Sequence, residues 1–172
     1  MIRINYKQQI LHLVVFLIIQ IPLLYKLILF DRAFGFFYIG FILFLPYGTS
    51  RSLTMVIAFF SGLLIDVFSN TPGIHAAACI LIAFLKDTWH DVIMGTSDDD
   101  DVSIDWNELK VVGSIGYLLP LIFIHHLIIF SIENGGFNSF GFLFSKVLYS
   151  SLYSFIIVFG LSFLMAPKAR RT

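Results

Sequence analysis

Charge is what this sequence has least of. Lys, Arg, Asp and Glu make up 13% of its 172 residues and hydrophobic residues 58%, whereas an ordinary soluble domain is about 25% charged. With a mean hydropathy of +0.90, that deficit identifies a polytopic membrane protein. The formal net charge is zero, so there is no global basic field to recruit nucleic acid. Cysteine is nearly missing too. Cys79 alone is present, inside an apolar run, where it reads as a small buried hydrophobe and not as a redox group or metal ligand. The chain has no His-Glu-x-x-His, no Gly-x-Ser-x-Gly and no glycine loop to cradle a phosphate, and no second carboxylate within a span to form an aspartyl dyad with Asp66. These absences point to a non-enzymatic protein, with no cofactor or metal expected.

What is present is a series of apolar runs. A helical crossing takes about 20 residues, so the length allows at most about six with short loops. The expectation is an all-α, single integral membrane domain over 1–172, with spans at 10–30, 34–46, 53–68, 73–85, 111–130 and 140–165 and an acidic loop at 86–110. The run at 10–30 is too long for a signal h-region and contains Gln20, Pro22 and Lys26. It reads as a retained first span, with Lys26 snorkelling to the nearer interface. The run at 34–46 is short for a crossing, which suggests a tilted or partly re-entrant segment. In 111–130, Gly113 and Gly116 suggest a helix contact and Pro120 a kink.

Lysines and arginines set the orientation. With six spans and both termini in the cytoplasm, Arg3, Lys7, Arg51, Lys86, Lys110, Lys168, Arg170 and Arg171 lie inside, and only Lys26, Arg32 and Lys146 lie outside. The bend near Asn70 then faces outward and the acidic loop inward.

The stretch 53–85 carries the chemistry. Gly62, Asp66 and Asn70 are spaced four apart and stack on one helical face. A charge at the centre of a span is disfavoured by about 3 kcal/mol, so Asp66 is expected to face protein or a wet cavity. It reads either as an interhelical tether to His75, His125, His126 or Lys26, or as a group facing a partner or ligand. A proton relay is the third reading, but relays normally need more ionisable groups than these spans hold. Asn70, Thr71, Pro72 and Gly73 form a tight break, after which His75 and the small residues Ala76, Ala77, Ala78 and Cys79 permit close helix contact.

Other polar groups read more plainly. The run at 98–101 lacks the alternation, the glycine and the closing glutamate of an EF-hand and reads as a solvated loop. Asp87, His90 and Asp91 share a helical face and could hold a metal, but are more simply explained as wet. His125 and His126 are adjacent, project about 100° apart and do not suit a shared ion; one of them is expected to line the interior.

The segment Gly62-Leu-Leu-Ile-Asp66, followed by Pro72-Gly73-Ile-His75-Ala76, resembles the signature region of the MreD family, the membrane subunit of the bacterial rod-shape-determining complex. The specific part covers about 62–76; length, span layout and the short basic tail are similar more loosely. The resemblance implies about six transmembrane helices, similar to the S-component fold of energy-coupling-factor transporters. It also implies a scaffold in the cell (inner) membrane that serves peptidoglycan synthesis within the elongasome. The implied partners are MreC and, through it, MreB, RodA and the elongation transpeptidase. The residues carried over as partner- or ligand-binding are Gly62, Asp66, Pro72, Gly73, His75 and Ala76, with Asn70 added from the helical face. The long acidic loop departs from the family pattern. The alternative is a substrate-binding membrane subunit of a vitamin-type transporter, with an outer pocket lined by Asp66, Asn70 and His75. Such subunits dock their energising partner through small residues on the first helix, and 10–30 has no Gly, Ala or Ser.

Overall fold

A computed structural model describes Val14, Phe16, Gln20, 28–29, 33–47, 49–94, 106–137 and 139–165. The expected first span lies almost wholly outside these residues, as do Lys26, the run at 98–101 and the basic tail. Val14, Phe16 and Gln20 are helical.

Four long helices dominate: α2 (Arg51–Ser69), α3 (Ile74–Met94), α4 (Trp106–Glu133) and α5 (Phe140–Met165), preceded by the five-residue α1 (Ile39–Leu43). Each long helix packs on the next in sequence. Short turns join α2 to α3 and α4 to α5 at one end. Contacts from Trp89 to Gly116 and from Tyr38 to both His75 and His125 place α3 and α4 antiparallel. Among the described residues three helices are long and apolar enough to cross a membrane: Arg51–Ser69, Val111–Glu133 and Phe140–Ser162. The chain is thus a predominantly helical membrane protein. The expected span at 73–85 forms the apolar part of a 21-residue helix that continues through Lys86, Asp87 and Asp91, so the acidic segment at 86–110 opens as an extension of α3.

The largest departure from expectation is 34–46, which is not a continuous helix. Strand β1 (Ile28–Leu29) pairs antiparallel with β2 (Ala33–Phe34), and the chain then turns into α1. Every residue of α1 is buried, as are Phe36, Phe37 and Tyr38. This thread runs from the level of Lys146, whose ammonium lies over the Phe34 ring, to that of Asp91, which accepts the Tyr47 hydroxyl at 2.6 Å. Thirteen helical residues advance only about 20 Å, short of a crossing of about 30 Å, but an extended residue advances about 3.3 Å and not 1.5 Å. A part-extended chain therefore reaches further than the hydropathy pattern suggests.

Non-helical backbone at this depth is stable only if protein satisfies its polar groups. Here side chains do so. The N–H groups of Phe34 and Phe36 donate to the hydroxyls of Ser150 and Ser154 at 2.9 and 2.8 Å. The Gln20 amide donates to the Gly35 carbonyl at 2.9 Å and accepts from Tyr38 N–H at 3.1 Å. At the far end the Lys86 ammonium, 0% exposed, donates to Asp87 at 2.6 Å and reaches the Leu45 and Pro46 carbonyls.

Candidate functional site

Asp66 organises the junction of α2 and α3. A helix begins with four backbone N–H groups that lack intrahelical partners, and in α3 all four are satisfied. Ile74 N–H donates to the Thr71 carbonyl and Ala77 N–H to that of Gly73. His75 and Ala76 N–H donate to the two carboxylate oxygens of Asp66, each at 2.9 Å, and the Thr71 hydroxyl adds a third bond at 2.9 Å. The carboxylate is 3% exposed. Its position at a helix N-terminus favours negative charge, which explains why an acid is accepted here.

Gly62 makes this approach possible. A Cβ built on it would lie 2.6 Å from Ala76 Cα and 2.7 Å from the His75 carbonyl oxygen, so the two backbones touch. One turn later, Asp66 meets the start of α3. Asn70 ends α2 with φ 54°, its N–H donating to the Asp66 carbonyl, and Gly73 completes the corner with φ 82°. Asn70, Pro72 and Gly73 are exposed; Gly62, His75 and Ala76 are buried. The residues singled out in the sequence therefore converge on one corner with a buried and an exposed side. Comparison with protein-family models, curated proteins and solved structures returns no match.

Asp66 meets the backbone of His75, while the ring of His75 turns away to Tyr38. The Tyr38 hydroxyl lies 2.6 Å from His75 Nδ1 and 3.0 Å from His125 Nε2. It has one proton for two ring nitrogens, so one imidazole must donate. His125 Nδ1 is buried without a hydrogen-bond partner. Placing the His125 proton on Nε2, as donor to Tyr38, avoids a hydrogen on the partnerless Nδ1, and Tyr38 then donates to His75. His126 Nδ1 lies 2.8 Å from the Ile122 carbonyl and so carries its ring's proton, leaving Nε2 to accept from Ser154 at 3.0 Å. Both histidines line the interior, not one as expected, because the thread lies between α3, α4 and α5 and offers each a different partner. Phe36 packs edge-on to His75 and stacks on His126, with centroids at 5.1 and 5.4 Å.

No sequence motif marks Tyr38, Ser150 or Ser154 as a site residue, and Gln20 stands out only as a polar residue of the first run. The i, i+4 spacing of Ser150 and Ser154 within an apolar run was the available signal. At the other end, Asp87 is engaged by Lys86 and Asp91 by Tyr47. Among the described residues no group of three or more His, Cys, Asp or Glu is placed to hold a metal ion. Lys86 lies just past the apolar part of α3; burial pushes its ammonium below the ordinary value of 10.5, opposed by Asp87.

Proposed function

We propose that this protein is a non-enzymatic membrane scaffold of the MreD kind. In this reading it binds MreC and, through it, MreB, RodA and the elongation transpeptidase in the cell (inner) membrane. The observation that supports it best is the state of the polar groups at the α2–α3 corner. Asp66 is engaged on both oxygens and His75 on Nδ1, so their polarity holds a rigid corner whose exposed side, Asn70, Pro72 and Gly73, is presented for contact. The Asp66 carboxylate and the His75 ring share no hydrogen bond, so the pair lacks the geometry by which an acid orients a catalytic imidazole. Six crossings with both termini cytoplasmic fit this reading if the first run and the 33–47 thread are the first two, and the turn at 70–73 then faces outward.

The transporter-subunit reading needs the same Asp66 and His75 to be available to a small molecule. Purification of the tagged protein in mild detergent, with identification of what accompanies it, separates the two. Pro72→Arg and Ala77→Trp alter exposed positions at the corner. The expected outcome is loss of most MreC co-purification and rounding of rod-shaped cells, with thermal stability unchanged. Normal cell shape with loss of vitamin uptake would favour the transporter instead.

A further inference from the structure

Where α4 turns into α5 the fold leaves a cleft of about 160 Å3 lined by Phe130, Glu133, Asn134, Phe142, Leu143 and Lys146. Its centre is a cation held in an unusual way. The Lys146 ammonium sits 4.1 Å over the Phe130 ring, 4.6 Å over the Phe34 ring and 3.2 Å from the Glu133 carboxylate. A lysine this near a helix end ordinarily snorkels to water; here two aromatic faces and one acid hold it against the protein. Both charges keep an open side, at 20% and 30% exposure.

The depth of the cleft matters. Lys146 lies roughly 9 Å along the helix axis from Phe140, but its ammonium reaches back to Glu133, the last residue of α4. Phe137, Phe140, Phe142 and Phe144 around it are 64%, 64%, 54% and 46% exposed, an apolar surface that suits lipid and not water. The ammonium is thereby held where two membrane-length helices meet their connecting turn, near the level of lipid phosphates, with exposed phenyl rings beside it for acyl chains.

We infer that this cleft binds the phosphoethanolamine headgroup of a bilayer lipid. The phosphate accepts from Lys146 and the primary ammonium donates to Glu133, so that one ion pair within the protein is exchanged for two charge-assisted contacts with the ligand. The paired signs give the selectivity. A choline headgroup has no N–H to offer Glu133, and a glycerol headgroup brings no cation to it. Water-soluble phosphoethanolamine shares the chemistry; the interfacial depth and the exposed phenyl strip favour the lipid.

The test is native mass spectrometry of the full chain in mild detergent, with equal amounts of phosphatidylethanolamine, phosphatidylcholine and phosphatidylglycerol of identical acyl chains. Phosphatidylethanolamine should be retained over each of the others by about fivefold, the factor carried by one net hydrogen bond. Glu133→Gln, which loses the charge but keeps a carbonyl acceptor, should weaken the preference over phosphatidylcholine, and Lys146→Met should reduce retention of all three. Soluble phosphoethanolamine at equal concentration should not compete. Equal retention by the wild-type protein, any other order of preference, or an unchanged preference in Glu133→Gln overturns the assignment. Effective competition by the soluble compound overturns the lipid as its ligand. If Lys146→Met fails to fold, the partly exposed Glu133 still decides through Glu133→Gln.

Discussion

At the scale of single residues, what matters is which polar atoms have partners. Asp66 accepts three hydrogen bonds in a buried site, and Asp66→Asn keeps its shape but turns one acceptor into a donor facing an N–H group. A buried donor left unsatisfied is unfavourable by about 1–3 kcal/mol, so this variant should melt earlier in detergent by a corresponding amount, measured by thermal unfolding. Lys86 allows a prediction of pH dependence. Its folded-state value lies below the ordinary 10.5 because of burial, so between those two values the unfolded chain binds more protons. Stability therefore rises with pH through that window, and Lys86→Met should flatten the rise in an unfolding series taken from neutral pH up to 10.5. The sequence made Asp66 conspicuous, since an acid in an apolar run needs a reason. That its partners are backbone N–H groups of another helix depends on where α3 begins, which hydropathy does not reveal.

At the scale of elements, two contacts test the architecture. Gly62→Ala places a methyl carbon against the Ala76 and His75 backbone, where no rotamer change can relieve it; it should part α2 from α3 and destabilise by about 1–3 kcal/mol. Ser154→Ala removes the acceptor for Phe36 N–H and the donor to His126. Amide exchange at Phe36 should accelerate, whereas Ser145→Ala, on a partly exposed hydroxyl bonded within its own helix, should leave it unchanged. The long helices α2, α4 and α5 were legible because each is a sustained apolar run. The thread at 33–47 was not, because a buried part-extended chain and a lipid-facing helix have the same apolar composition. Only the serines opposite it hinted that something there lacked internal hydrogen bonds.

At the scale of the whole molecule, the expected topology has a direct readout. Cys79 is wholly buried, so a Cys79→Ala background leaves no native thiol. Pro72→Cys and Phe137→Cys lie at the end that holds both short turns, and Ser50→Cys at the opposite end, all at exposed positions. A membrane-impermeant thiol reagent applied to intact cells should label the first two strongly and the third only after lysis. Labelling of Ser50→Cys alone from outside would invert the orientation derived from the lysines and arginines.

Composition by itself determined that this chain lives in a bilayer as packed helices, because a chain with so few charges cannot present a water-compatible surface. It also marked the corner around Asp66, since burying an acid demands compensation. Tertiary structure alone decided how that compensation is made and which apolar run is not a continuous helix. Hydrogen-bond partners of buried polar groups are distant in sequence, from Phe36 to Ser154 and from Tyr38 to His125, and no local pattern encodes a contact made across more than eighty residues.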